Sequence, residues 1–187
     1  MKKIISGIME LNLPNKLTLL RMALVPVYLV LLAYGFNWLA LVVFAVASLT
    51  DMLDGKIARK YDLVTNFGKL MDPLADKLLT MSAFICLVEL GDMPGWMAIV
   101  ILGREMIITG MRQVAAAEGI VIAAGWSGKI KTVLQMVAIP LLLVQNWPCS
   151  VYFNDFPLDQ IVLWAALVMT IVSGIEYIVK NKEVFAQ

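Results

Sequence analysis

Between Met22 and Thr50 the chain runs for 29 residues without a charge. A helix crossing a bilayer takes ~20 mostly apolar residues at ~1.5 Å each, so this run is too long for one crossing and too short for two. Tyr34-Gly35-Phe36-Asn37-Trp38, near its middle, reads as a turn at an aromatic interface. The first helix must therefore begin before Arg21, near Asn15, and the second must run past Asp51 to about Lys60. That second helix carries two aspartates inside its last turns. The same arithmetic predicts a third helix opening with Asp72 and Asp76, a fourth holding Arg104, Glu105 and Arg112, and two more apolar ones. The expected spans are 15–34, 38–60, 68–90, 94–117, 129–145 and 158–179, and Pro73 falls in the first turn of the third, where proline is tolerated. Short connections favour antiparallel neighbours. Ser6–Leu13, ahead of Pro14, alternates polar and apolar residues and suits a membrane surface. The expected fold is all-α: a polytopic membrane protein of one domain, with six transmembrane helices and a short N-terminal amphipathic interfacial segment.

Composition agrees. Of 187 residues, 61% are apolar and 16% charged, and mean hydropathy is +0.85. Soluble domains are about 45–50% apolar and about 25% charged. A formal net charge of +1 gives no reason to expect nucleic acid as a partner. Histidine is absent, which leaves oxygen ligands for any metal chemistry. Cys86 and Cys149 are isolated and suggest neither a disulfide framework nor a zinc site. Lys2 and Lys3 precede no signal-peptide pattern.

On the six-span map Lys2, Lys3, Lys16, Arg21, Lys56, Arg59, Lys60, Lys69, Lys129, Lys131, Lys180 and Lys182 fall on one side. The opposite turns, near 35–37, 91–95 and 146–157, hold no Lys or Arg. The positive-inside rule then predicts a multi-pass protein of the cell membrane with both termini cytoplasmic.

Asp51 and Asp54 are three apart and share a helix face that Ala58 continues. Asp72 and Asp76 are four apart, with Gly68 one turn earlier on the same stripe. Asp51 lies nine residues before Lys60 and Asp76 eight after Gly68, so each is about 12–13 Å into its helix from the shared loop. Two antiparallel helices can thus point four aspartates into one cytoplasm-facing cavity. Four anions at such a site need cations, and oxygen-only ligation selects a hard ion such as Mg²⁺ or Mn²⁺. Two ions ~4 Å apart suit a phosphoryl displacement. Gly55, Ala58 and Gly68 leave room beside the stripe for a bulky ligand such as a nucleotide. Taken singly, an intramembrane aspartate is as readily a structural ion pair, and a glycine a helix-packing contact.

The pattern Asp51-x2-Asp54-Gly55-x2-Ala58-Arg59-x8-Gly68-x3-Asp72-x3-Asp76 resembles the signature of the CDP-alcohol phosphotransferases, membrane enzymes of six helices that usually dimerise. All eight positions fit. The resemblance implies that Asp51, Asp54, Asp72 and Asp76 hold the metal ions and that Asp51, Gly55, Ala58, Arg59 and Gly68 surround the cytidine diphosphate. It makes Asp76 the base that deprotonates an alcohol acceptor, which attacks the lipid-bearing phosphorus of CDP-diacylglycerol and releases CMP.

A basic set stands apart from the acids. Arg104 and Arg112 lie about two helical turns apart, and Lys129 and Lys131 open the next helix. Arg104 is too deep to reach water easily, so it needs an anion, which Glu105 or an acceptor phosphate would supply. Lys129 and Lys131 also read as ordinary positive-inside residues, and Arg21 as a phosphate contact, a headgroup contact or an anchor. Asn12-Leu13-Pro14-Asn15-Lys16-Leu17-Thr18-x-x-Arg21, Arg104-Glu105 and Gly128-Lys129-x-Lys131-Thr132 resemble the bacterial branch of the family that uses sn-glycerol-3-phosphate. The expected partners are therefore CDP-diacylglycerol, sn-glycerol-3-phosphate, membrane lipids and a second copy of the chain. Competing readings are a sister phosphatidyltransferase using inositol phosphate, phosphatidylglycerol or serine, a cation transporter, and a non-catalytic scaffold. A transporter would place its acids at the bilayer midplane on broken helices, whereas these crowd one side.

Overall fold

In a computed structural model, the structure describes residues 13–60, 66–117, 119–120, 122–123, 125–145, 147 and 156–182. Side chains at 13–14, 52–60, 66–70 and 117 lie outside that description. So does the expected interfacial segment Ser6–Leu13, apart from the backbone of its last residue. The described residues form helices and turns, with no strand among them. The helices are α1 (Leu13–Ala33), α2 (Asn37–Lys60), α3 (Asn66–Glu89), α4 (Gly95–Ala117), α5 (Trp126–Leu143) and α6 (Leu158–Lys180).

The expected turn at Tyr34–Phe36 forms, and its chemistry is local. Gly35 takes φ +76°, its N–H bonds to the Leu32 carbonyl, and the Phe36 N–H bonds to the Leu31 carbonyl. This is the left-handed glycine stop that satisfies a helix's last carbonyls. Gly91 (φ +83°) ends α3 in the same way, with its own N–H on Val88 and that of Asp92 on Leu87. One boundary differs. α3 begins at Asn66, which makes Pro73 its eighth residue and not a first-turn residue. There the missing N–H removes a rung of the helical ladder beside Asp72.

The chain divides into two compact units, Met1–Cys86 and Leu87–Gln187. In the first, α1 packs on α2 through Val25, Tyr28 and Leu32 against Ala40, Phe44 and Ala47, with the Tyr28 and Phe44 rings 6.1 Å apart. Alanines at positions 40 and 47 bring the two helices close. In the second unit α5 and α4 both pack on α6.

Polar and charged residues share the interior with the apolar core, while many large apolar side chains face outward. Asn15, Thr18, Arg21, Glu105, Lys131, Gln135, Thr170 and Ser173 are buried. Val42 (57% exposed), Ile99 (73%) and Met106 (65%) point outward. Two helical stretches, Asn15–Ala33 and Leu158–Lys180, are long and apolar enough to cross a membrane. The described apolar stretch of α2, Asn37–Asp51, is shorter, and α4 carries the charges of Arg104, Glu105 and Arg112.

Candidate functional site

The first unit builds an acidic site from three helices. Asp51 lies on α2, and Asp72 and Asp76 on one face of α3. Asp72 and Asp76 are near enough for their charges to act on Asp51. Each of the three carboxylates has a partner of its own. The Arg21 guanidinium donates to Asp51 Oδ1 at 2.5 Å, the Thr18 hydroxyl to Asp72 Oδ1 at 2.6 Å, and Lys77 Nζ lies 3.7 Å from Asp76 Oδ2. Arg21 is fully buried, while the Asp51 side chain is 41% exposed. Arg21 thus faces the acidic site from α1. The side chains of Asp54, Ala58 and Arg59, together with Gly55 and Gly68, lie outside the described residues, although all five positions are helical in backbone.

Carboxylates are the donors that hard divalent ions select, and a half-exposed set backed by buried donors suits them. Among the described residues no three acidic side chains stand close enough to hold an ion by themselves. Asp54, the fourth expected ligand, is not among those residues. The donor chemistry fits a divalent ion; its geometry is that of carboxylates held by Arg21, Thr18 and Lys77.

The second unit builds a basic cavity of about 340 Å³, lined by Arg104, Arg112, Ser127, Gly128, Glu176 and Lys180 among others. Arg104 Nη1 donates to Glu105 at 3.0 Å and Nη2 to Ser173 Oγ at 3.1 Å. Gly174 lets the Arg104 stem pass, since a Cβ there would lie 3.1 Å from Arg104 Cγ. The Arg112 guanidinium stacks over Tyr177, 5.4 Å from the ring centre, and its Nε is buried without a partner among the described residues. A cavity edged by two guanidinium groups, each with a buried Nε that has no partner among the described residues, can hold a phosphate. The four expected basic residues thus separate. Arg104 and Arg112 share the cavity wall. Lys131 is buried and donates to Glu105, while Lys129 is exposed with Nζ 4.9 Å from the Trp126 ring centre.

Glu176 was not singled out from the sequence. Ser127 donates to it, and Lys180 does so at 2.5 Å. The available signal was that it is the lone charge between Ile161 and Val179. Thr18 was noticed only as part of a resemblance, without a role.

The carboxylates of the first unit suit a hard cation and the guanidinium groups of the second suit an anion, the two requirements of chemistry on phosphates. The family model described as CDP-alcohol phosphatidyltransferase matches residues 11–172, and the chain belongs to that family. A Bacillus subtilis protein named CDP-diacylglycerol--glycerol-3-phosphate 3-phosphatidyltransferase is 46% identical, covering 92% of this chain and 96% of its own length. A Rickettsia bellii protein of the same name is 37% identical, over 93% and 97%. A Mycobacterium tuberculosis protein named probable phosphatidylglycerophosphate synthase is 41% identical, over 90% and 81%. The family is membrane-associated and generally depends on a divalent metal.

Proposed function

We propose that this chain transfers the phosphatidyl group of CDP-diacylglycerol to sn-glycerol-3-phosphate, giving phosphatidylglycerophosphate and CMP. One observation carries the reading: Asp51, Asp72 and Asp76 come from two helices, the last two lie near enough for their charge to bear on Asp51, and each is held at one oxygen by a separate donor. Asp51, Asp54, Asp72 and Asp76 would hold two divalent ions, Mg²⁺ or Mn²⁺, which would neutralise the pyrophosphate and stabilise the leaving CMP. Gly55, Ala58, Arg59 and Gly68 border the nucleotide. Asp76 takes the proton from the acceptor's hydroxyl, whose oxygen then forms the new bond to the lipid-bearing phosphorus. Arg104 and Arg112 hold the acceptor's phosphate. Lys131 supports them through Glu105, which it shares with Arg104. Lys129 adds positive charge near the acceptor without a fixed contact.

The enzyme is a multi-pass protein of the cytoplasmic membrane, with termini and acidic site on the cytoplasmic side, and works as a homodimer. The outward faces of α1 to α6 support six crossings: Val30, Val42, Leu78, Ile99, Val133 and Val168 are all exposed apolar residues. Outside a bilayer, so many would be an aggregation hazard.

The guanidinium-lined cavity favours a phosphorylated acceptor over free serine. An acceptor screen in detergent decides: with CDP-diacylglycerol and Mg²⁺ or Mn²⁺, CMP should appear with sn-glycerol-3-phosphate and cease on chelation. Faster release with inositol phosphate, phosphatidylglycerol or serine would reassign the acceptor.

A further inference from the structure

Thr18 and Arg21 lie three residues apart on α1, hence on one face, and neither exposes any surface. A buried guanidinium needs a carboxylate to offset its desolvation, and Arg21 finds Asp51, 30 residues away on α2. A helical threonine ordinarily bonds back to its own carbonyls, yet this hydroxyl reaches Asp72, 54 residues away on α3. Both contacts are made to Oδ1 of carboxylates that remain partly exposed. One buried face of α1 therefore grips one oxygen on each of the two acidic helices.

We infer that Thr18 and Arg21 are positioning residues for the acidic site: they fix the rotation of Asp72 and Asp51 so that each presents its second oxygen to a divalent cation. The inference rests on the metal-site reading given above. It differs from a packing role because the hydroxyl, and not the volume of residue 18, carries the effect. Groups that orient metal ligands typically change affinity about 10- to 100-fold when removed.

The test is Mn²⁺ binding, followed by electron paramagnetic resonance, to detergent-purified full-length protein stripped with chelator and free of substrate. Thr18→Val, nearly isosteric, should weaken binding by roughly 10-fold or more. Thr18→Ser, which keeps the hydroxyl, should bind as the wild type does. Arg21→Lys, which loses the planar fork, should also bind more weakly. Asp51→Asn is the reference and should lose most of the binding. If Asp51→Asn abolishes binding while Thr18→Val leaves it intact, or if Thr18→Ser is as weak as Thr18→Val, the positioning role is wrong and the metal site stands. If the wild type binds no Mn²⁺, or Asp51→Asn binds it normally, the metal-site reading itself is wrong. Should Arg21→Lys not fold, the Thr18 pair decides alone.

Discussion

The acidic site and the basic cavity handle buried charge in opposite ways. Around Asp51, Asp72 and Asp76 negative charge is in excess, and the described partners are one guanidinium, one ammonium and one neutral hydroxyl. Around Arg104 the excess is positive: Glu105 accepts from both Arg104 and Lys131, Glu176 accepts from both Lys180 and Ser127, and Arg112 stacks on Tyr177. Like charges gathered in a low dielectric are tolerable only with counter-ions, so the acids call for cations and the guanidinium groups for an anion. Changes in the first should fall on turnover and changes in the second on substrate affinity.

The sharpest break of that contrast is Asp76→Asn. It preserves size and some metal-ligating ability but removes the proton acceptor, so CMP release should fall about 10²- to 10⁴-fold. Nucleotide binding should survive, as followed by titration with a CDP-lipid analogue. Turnover near the wild-type rate would take Asp76 out of the base role and leave the excess of acids in need of another explanation.

A smaller effect is expected in the cavity. Arg112→Ala should raise the KM for sn-glycerol-3-phosphate by about 10- to 100-fold, the ~1.5–3 kcal/mol of a charged hydrogen bond, with little change in the KM for CDP-diacylglycerol. Lys129→Ala should do much less, because its ammonium is exposed and rests on Trp126. Initial rates with each substrate varied in turn provide the check. Equal shifts for both substrates would mean that the cavity does not distinguish them.

How far these sites were legible depended on sequence distance. The spacing of Asp72 and Asp76 is a property of one helix, so their shared face followed from periodicity alone. Gly35 and Gly91 announced helix ends because only the residues around them make those bonds. α3 starts at Asn66, two residues before the expected bound, although Thr65 and Asn66 suit a helix entry, and Pro73 lies beyond the first turn counted from either start. Thr18 on Asp72 and Arg21 on Asp51 join residues 54 and 30 apart, and no local pattern encodes such a pairing. Lys131 read as a phosphate ligand because the loop places it near Arg104. What decides its partner is burial, which turned it onto Glu105. Glu176 pairs locally with Lys180, one turn on, but Ser127, 49 residues away, reaches it only through the fold.

The smallest expected effect comes from a third group of acids, Asp92 in a turn and Asp159 in the first turn of α6. Asp92, in the turn between α3 and α4, has its carboxyl pushed above the usual range, chiefly by burial and further by the negative charge of Asp159. It resembles the acidic site in bringing carboxylates together, but no ligand set is assembled there. An acid whose pKa is higher folded than unfolded carries no penalty at low pH, where both states are protonated. The penalty appears as pH rises through the ordinary carboxylate value and is complete above the raised one. The turn should thus be least stable at neutral pH, and Asp92→Asn should stabilise the protein there by less than about 1 kcal/mol, with the advantage shrinking toward about pH 4. Asp51→Asn, by contrast, strips a buried arginine of its partner and should destabilise at the same pH. Melting curves of both variants between about pH 4 and 8 in metal-free detergent separate the cases. If Asp92→Asn is neutral or harmful at pH 7 as well, proximity of acids alone does not distinguish the two groups. The contrast then rests on Arg21 and Thr18 alone.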